Sequence, residues 1–244
     1  MTDADGLVGR LGADGPVVRV RVEDGRIAAV DAAAPDHPSA GLVLRPGLVD
    51  LQVNGVDGHD LTTDPGRVWD VGAALAAEGV TGFLPTLVSP APDVVRRAIE
   101  VLEAGAPPGW AGARPLGWHL EGPFLAPARR GAHAPTALRP VDLAEVAAWS
   151  PPHVRMVTLA PEVDGAFDAI ADLRSRGVVV AAGHTDADED VAHAAFDAGV
   201  AMVTHWGNAM ATWHHRAPGL AGAALVDDRV TLGVIADGHH LAPT

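Results

Sequence analysis

The sequence predicts an α/β protein built around a (β/α)8-type, TIM-like barrel that is incomplete, with about seven strands, and that carries a small N-terminal β-domain. From Pro46 onward, apolar strand patterns alternate with alanine-rich helical patterns, which is typical of a parallel α/β fold. Polar residues whose side chains could bind a metal or take part in catalysis lie at the C-terminal ends of those strands, where the active sites of barrels lie. A doubly wound sheet is less favoured, because no glycine-rich phosphate loop follows the first of these strands.

The N-terminal β-domain is predicted over residues 1–45 and the barrel over residues 46–244. Residues 17–31, "VVRVRVEDGRIAAVD", contain two β-branched runs around Asp24 and Gly25. An Asp-Gly pair between two such runs is a strong signal for a β-hairpin.

Seven apolar segments of the second region are predicted to be the barrel strands. They are residues 48–55, 81–88, 116–122, 154–162, 178–185, 201–208 and 231–238. Helical patterns fill most of the gaps between them, for example at residues 67–79 and 188–199.

Composition excludes several classes of function. The chain has 244 residues and a formal net charge of -14, which argues against binding a nucleic-acid backbone. It has no cysteine, so disulfides and thiolate metal sites are excluded. The polar start, "MTDADGLVGR", is unlike a signal peptide, and no apolar run is long enough to span a bilayer. We therefore expect a cytoplasmic protein with no membrane partner.

Three ligand-type residues, Glu121, His184 and His205, each end a different predicted strand. Closure of a barrel would bring them together, and two imidazoles with one carboxylate are a common set for zinc or iron(II). Each residue alone is as well explained by a hydrogen-bonded interior side chain. The three together favour a metal site, whose ion would lower the pKa of a bound water and polarise a carbonyl.

The end of the first barrel strand carries Gln52 and Asn54, where many barrel metallohydrolases have a His-x-His pair for a second metal. Neutral amides are weak ligands for a transition metal, so we expect one ion. For both residues, hydrogen bonding to loops at the barrel rim is about as plausible as a role in substrate binding.

Polar loops follow the strands that carry the expected ligands. His133 could bond a substrate oxygen, and the guanidinium of Arg216 matches the geometry of a phosphate. Residues 236–240, "ADGHH", add two histidines. Each of these features alone is weak evidence for a site. Their position directly after the strands that carry the expected ligands is what favours a functional role.

Several segments together resemble the N-acetylglucosamine-6-phosphate deacetylase family of the amidohydrolase superfamily. The most specific are "HLEGPFLAPARRGAH" and "THWGNAMATWHHRAPGLAGAAL", accompanied by "PGLVDLQVNGVDG", "GVTGFLPTLVS", "AAGHTDA" and "IADGHHLAP". They follow one another in family order from about Pro46 to the end of the sequence.

The resemblance implies a metal-dependent hydrolase that deacetylates N-acetylglucosamine 6-phosphate in amino-sugar catabolism. It implies one divalent metal ion per subunit, zinc or iron(II), held by Glu121, His184 and His205. His133 is expected to polarise the acetyl carbonyl, and Arg216 is expected to reach the neighbouring site of a homodimer. The substrate-binding positions that it implies are Ala132, His133, Asn208, Ala209, Arg216, Asp237, Gly238, His239 and His240.

The sequence departs from the family pattern at its end. Family members carry a catalytic aspartate at the end of strand eight, and this sequence stops before that strand, whereas Asp237 matches the strand-seven motif. The resemblance thus implies a C-terminally truncated member, and we expect little activity from these 244 residues alone. Two alternatives stay open: an amidohydrolase for another N-acyl or cyclic amide substrate, and a non-catalytic fragment that binds metal or a sugar phosphate.

Overall fold

A computed structural model of the chain describes residues 6–242. Residues 1–5 and 243–244 of the two predicted domains, and with them the start of the acidic N-terminal stretch, lie outside this range. The chain divides into two compact units, Met1–Gly47 and Leu48–Thr244. The predicted domain limits, 1–45 and 46–244, stay predictions. No helix in the described part of the chain has both the length and the apolar character needed to cross a bilayer.

The N-terminal unit has four strands, β1 (Leu7–Leu11), β2 (Val17–Glu23), β3 (Arg26–Ala32) and β4 (Val43–Leu44). They form one sheet in the order β3-β2-β1-β4. Strands β2 and β3 pair antiparallel across Asp24 and Gly25, as the hairpin signal predicts. Both turn residues have positive φ, 50° and 72°, which is the backbone of the type I′ turn that Asp-Gly favours.

The second unit is built on a parallel sheet, whose strands are β5 (Leu48–Val53), β8 (Val80–Val88), β9 (Arg114–Pro115), β10 (Trp118–Glu121), β11 (Val154–Leu159), β12 (Val179–Ala182), β13 (Met202–Val203) and β14 (Thr231–Leu232). Seven of them follow the predicted barrel path, β5-β8-β10-β11-β12-β13-β14, and the short β9 pairs with the first part of β8. A separate small ribbon is formed by β6 (Gly55–Val56) and β7 (His59–Asp60). The predicted fold class, an incomplete TIM-like barrel with a small β-domain, is confirmed.

Helices follow the strands and cover the outer face of the sheet. They are α1 (Val68–Ala77), α2 (Pro92–Ala104), α3 (Leu143–Val146), α4 (Ala166–Ser175), α5 (Glu189–Ala198) and α6 (Gly219–Leu225). The predicted helix at 188–199 starts where the Asp188 side chain accepts a hydrogen bond from the backbone N–H of Val191. It ends at Gly199, whose φ of 114° suits a glycine at a helix C-terminus.

Six of the seven barrel strands end earlier than predicted, and β8 alone reaches its predicted last residue, Val88. The apolar pattern extends the sixth strand over residues 201–208, but β13 ends at Val203. The chain leaves the sheet there because His205 has a left-handed backbone, φ 34°, which cannot continue a strand. β12 ends in the same way before His184, whose φ is 51°. β14 also ends early, at Leu232.

The barrel interior is filled in layers, because alternate residues of a strand point to the same face. The lower layer is apolar and consists of Leu84, Met156, Ala181 and Met202. Two residues further along the strands lies a polar layer of Thr86, His119, Thr158 and Thr204, all buried. Burial lowers the pKa of His119 to about 4, so its imidazole is neutral at pH 7.

Strands β5 and β14 are the two edges of this sheet within residues 6–242. An open cavity of about 620 Å³ lies between them and reaches the interior side chains Met156, Met202 and His205. Apolar side chains of the β5 edge, among them Leu48 and Val49, are exposed beside it.

Candidate metal centre

Glu121 is the last residue of β10 and is only 3% exposed. It lies on the barrel-facing side, two residues beyond His119, while its neighbour Leu120 packs in the core between the sheet and the helices. The apolar run around Glu121 is therefore the packing of a barrel strand, and the carboxylate ends at the rim, where other strands can supply its partners.

His184 and His205 each lie two residues beyond the end of a strand, β12 and β13 respectively. Both have positive φ, 51° and 34°, and both are buried. A left-handed backbone costs a non-glycine residue about 1–3 kcal/mol and is found mainly at functional sites, where the surrounding structure enforces it. Here it turns both imidazoles back towards Glu121.

The three side chains converge on one point. Glu121 Oε1 lies 3.1 Å from His184 Nε2 and 3.1 Å from His205 Nε2. The two Nε2 atoms are 3.0 Å apart. Within the described residues, these three side chains form the group with metal-ligand chemistry and spacing, as the sequence predicts.

The other nitrogen of each ring identifies the tautomer. His184 Nδ1 lies 3.0 Å from the carbonyl oxygen of Arg129, and His205 Nδ1 lies 3.2 Å from that of Asn208. A carbonyl can only accept a hydrogen bond, so both Nδ1 atoms carry a proton. In the form of the ring that binds a metal, each Nε2 therefore presents its lone pair to the point on which the carboxylate also converges.

This convergence of lone pairs fits a bound cation. Donor atoms about 2.05 Å from a tetrahedral ion lie about 3.3 Å from each other, close to the observed spacing. Two imidazoles and one carboxylate leave one position open, as in catalytic rather than structural zinc sites. The Nδ1-to-carbonyl bonds supply the outer contacts that orient histidine ligands in metal sites.

The charge on Glu121 is maintained despite its burial. Burial would raise the pKa of this carboxyl, but its interactions with His133, His184 and His205 outweigh that effect and lower the pKa well below its usual value. The group is therefore a carboxylate at neutral pH, which is the form that binds a metal.

Gln52 makes a contact that the sequence did not predict. Its Nε2 donates a 2.7 Å hydrogen bond to Glu121 Oε1, so it contacts the candidate ligand and not a rim loop. Asn54 is exposed, and its carbonyl accepts a bond from the backbone N–H of Leu61. The contact could have been predicted from the position of Gln52 on β5, where its side chain faces the barrel interior as that of Glu121 does.

His133 is buried and lies beside the three converging side chains. Its Nε2 is 3.6 Å from Glu121 Oε2, and its ring meets that of His184 edge-on with centroids 4.3 Å apart. Its Nδ1 lies 2.7 Å from the hydroxyl of Ser89, another residue with positive φ, 40°. Sequence reasoning singled out His133 but missed Ser89, which follows β8 directly.

The remaining predicted site residues near the centre lie in two turns. Ala132 is exposed next to His133. The Asn208 side chain donates within its own turn, to the carbonyl of His205 at 3.3 Å. The Ala209 carbonyl accepts a bond from the backbone N–H of Thr185. These contacts join the turn after β13 to the one after β12.

The other predicted positions are exposed and form no hydrogen bond with the centre among residues 6–242. Arg216 is exposed, and its backbone N–H bonds His214 Nδ1. In residues 237–240, Asp237 accepts bonds from the backbone N–H groups of His239 and His240 and from His240 Nδ1, and these lower its pKa to about 2. This part of the predicted site consists of two loops above the barrel.

A parallel barrel sheet with two histidines and one glutamate meeting at its strand ends defines a metallohydrolase-type barrel.

No protein-family profile matches the chain. The chain is 38% identical over 230 residues to N-acetylgalactosamine-6-phosphate deacetylase of Escherichia coli O157:H7, covering 92% of this chain and 61% of that protein. It is 35% identical over 238 residues to N-acetylglucosamine-6-phosphate deacetylase of Bacillus subtilis, covering 92% and 60%. The chain thus spans about 60% of these relatives.

Solved structures of deacetylases also match the chain. The N-acetylglucosamine-6-phosphate deacetylase of Thermotoga maritima matches with a TM-score of 0.83 at 31% identity, over 98% of this chain and 64% of that one. The Mycobacterium smegmatis enzyme matches with 0.78 at 35% identity, over 96% and 69%. Its D267A mutant in complex with N-acetyl-D-glucosamine-6-phosphate matches with 0.80 at 34%, over 96% and 63%. The chain belongs to the N-acetylglucosamine-6-phosphate deacetylase family, whose members are amidohydrolases.

Proposed function

We propose that this chain supplies the metal-binding part of an enzyme that hydrolyses N-acetylglucosamine 6-phosphate to glucosamine 6-phosphate and acetate. The observation that carries the proposal is the convergence of Glu121 Oε1, His184 Nε2 and His205 Nε2 within 3.1 Å of one another. The similarity to solved deacetylases, one of them in complex with this sugar phosphate, supports the substrate.

The three converging residues would hold one divalent ion, zinc or iron(II), which both suit this ligand set. Such an ion, when bound, supplies Lewis-acid polarisation of a carbonyl and an activated water. Gln52 supports a single ion, because a neutral amide is a weak ligand for a transition metal and its Nε2 donates a hydrogen bond to the Glu121 carboxylate.

His133 is proposed to donate a hydrogen bond from Nε2 to the acetyl oxygen of the substrate. This requires its proton to be on Nε2, and the Ser89 hydroxyl can enforce that tautomer by donating to Nδ1 across 2.7 Å. A donor fixed before the reaction stabilises the charge that develops on that oxygen.

Binding of the sugar phosphate is proposed to use the two loops above the barrel. Ala132 and His133 would lie against the acetyl group, with Asn208 and Ala209 directed to the phosphate. Arg216 and the segment Asp237, Gly238, His239 and His240 would complete the site. Arg216 suits this role because its guanidinium is exposed and makes no ion pair within residues 6–242.

A steady-state assay of the purified, zinc-loaded chain tests the function. We expect residues 1–244 to release acetate from N-acetylglucosamine 6-phosphate more slowly than a full-length relative, because they correspond to about 60% of the length of those relatives. His205→Ala should remove the remaining rate, and Arg216→Ala should raise KM for this substrate but not for unphosphorylated N-acetylglucosamine.

Two outcomes of the assay would contradict the proposal. An unchanged rate in His205→Ala would exclude the cluster as the reaction centre, and an unchanged KM in Arg216→Ala would favour another N-acyl substrate. If no substrate is turned over, calorimetric titration with zinc and with glucosamine 6-phosphate separates a binding fragment from an inert one.

N-acetylgalactosamine 6-phosphate is a second candidate substrate. It is favoured by the 38% identity with the E. coli galactosamine-type deacetylase over 92% of this chain. The two sugars differ in the orientation of one hydroxyl, so the ratio of kcat/KM between them decides which one the site prefers.

We further propose that the protein is a cytoplasmic homodimer in which Arg216 contributes to the site of the neighbouring subunit. Support comes from the exposed apolar side chain of Trp213, three residues before Arg216, which is 58% exposed. Sedimentation analysis should show a dimer that Trp213→Asp dissociates, while Val179→Asp, at an exposed apolar position on β12, should not. A monomeric wild type would contradict this proposal.

A further inference from the structure

The polar layer beneath the metal centre consists of Thr86, His119, Thr158 and Thr204, which are at most 2% exposed. His119 Nε2 lies 2.7 Å from Thr158 Oγ1, and Thr158 Oγ1 lies 2.7 Å from Thr204 Oγ1. On the other side, His119 Nδ1 lies 3.3 Å from Thr86 Oγ1. The layer is a continuous hydrogen-bonded chain across the inside of the barrel.

The direction of every hydrogen bond in this chain follows from the bond at its Thr86 end. The Thr86 hydroxyl donates its proton to the carbonyl of Leu84, so it must accept from His119 Nδ1–H. His119 Nε2 then has no proton and accepts from the Thr158 hydroxyl. Thr158 has thereby used its proton and accepts from Thr204. Each hydroxyl proton is used once, and one imidazole tautomer satisfies all of them.

The layer contacts the backbone next to each candidate ligand. His119 is two residues before Glu121 on the same face of β10, and Thr204 precedes His205. A methyl group on Gly183, which precedes His184, would lie 3.0 Å from Thr158 Cγ2 and 3.1 Å from Thr204 Cβ. The side chains of the layer thus confine the strand end before His184 as well.

The layer also reaches the strand of Gln52. The backbone N–H of Val53 donates to Thr86 Oγ1 at 3.1 Å, and Gln52 bonds the Glu121 carboxylate from the same strand. Strands β5, β8, β10 and β11 and the turn after β13 are therefore joined by side-chain hydrogen bonds immediately below the centre. Most of these bonds join strands that also pair in the sheet, but the bond between Thr158 and Thr204 connects β11 to the turn after β13 and so passes over β12.

We propose that His119 is a positioning residue for the metal centre: with Thr86, Thr158 and Thr204 it fixes the strand ends so that Glu121, His184 and His205 meet at metal-binding distance. This role rests on the proposed metal-binding function. It requires no contact between His119 and the ion, because its effect passes through the backbone that carries the ligands.

Zinc affinity, measured by competition with a chromophoric chelator, tests the role. We expect His119→Phe to raise the Kd for zinc about 10–100-fold, the range for outer contacts that orient metal ligands. His119→Gln keeps one donor and one acceptor, so it should restore most of the affinity. The absorption spectrum of bound cobalt(II) should change in the Phe variant, because the ligand geometry changes.

A matched control separates positioning from general destabilisation. Ile170→Ala creates a cavity under α4, in the core between sheet and helices, and should leave the Kd for zinc unchanged although it lowers thermal stability. If His119→Phe fails to fold, Thr158→Val gives the same test, because it removes the hydroxyl between His119 and Thr204 at nearly constant volume.

The outcomes distinguish this inference from the proposed function. Wild-type chain that binds no zinc would contradict the function itself. Zinc binding by the wild type with unchanged Kd and cobalt spectrum in His119→Phe, or in Thr158→Val where the former does not fold, would overturn the positioning role alone. Equal losses of affinity in Ile170→Ala and His119→Phe would also overturn it, since the effect would then be global.

Discussion

Replacing His205 by alanine is expected to lower the zinc affinity of the chain by about 10²–10³-fold. Zinc binding to a protein site is worth about 10–16 kcal/mol over four ligands, or about 3 kcal/mol for each ligand removed. His205 Nε2 lies within 3.1 Å of both other ligand atoms, so the substitution removes one of the three converging donors. Competition with a chromophoric chelator measures the change.

His193→Ala is the control for the His205 experiment. His193 is a partly exposed histidine on α5, whose Nε2 lies 3.8 Å from Glu189 Oε1 on the helix surface. Its removal should leave zinc affinity unchanged, and circular dichroism should show both variants folded. Wild-type affinity in the His205 variant would mean that zinc binds elsewhere and that the converging cluster is not the metal centre.

The second large effect is expected in the core, where Trp118→Ala should lower the free energy of unfolding by about 3–5 kcal/mol. Trp118 is fully buried on β10, and its Nε1 donates a 2.8 Å hydrogen bond to the carbonyl of Ala98 on α2. Truncation leaves a cavity and also removes the partner of that buried carbonyl. Urea unfolding followed by circular dichroism measures the loss.

Two further tryptophan variants are controls for the Trp118→Ala experiment. Trp118→Phe keeps an aromatic ring in the cavity and should cost less than the alanine variant. Trp213→Ala, at a residue 58% exposed, should change the free energy of unfolding by less than about 0.5 kcal/mol in the monomer. A loss in Trp118→Ala no greater than in Trp213→Ala would contradict the packing described for β10.

The fold and the ligand set were predictable from the sequence for the same reason. Strand order and helix positions follow from the apolar pattern, and parallel strands bring all their C-terminal ends to one face. Glu121, His184 and His205 therefore had to approach each other once a barrel was inferred. Their three 3.0–3.1 Å contacts agree with that expectation.

Other parts of the centre depend on details that an apolar pattern does not contain. The strands were predicted to extend too far, because residues with a left-handed backbone, such as His205, cannot be told from strand residues in the sequence. The bond from Gln52 to Glu121 depends on the register between β5 and β8, which has two irregularities. The orientation of His119 towards the barrel interior could have been predicted, because alternate residues of a strand share a face and His119 is two residues before Glu121.

The layered interior also bears on which changes in this gene the protein can tolerate. Loss of a single codon for Leu120 would carry Glu121 into the position that Leu120 now fills, on the helix-covered side of β10, away from both histidines. A carboxylate there would be buried among apolar side chains without a partner. Exchange of Leu120 for another aliphatic residue keeps the alternation intact. In this strand, insertions and deletions should therefore be far more damaging than substitutions.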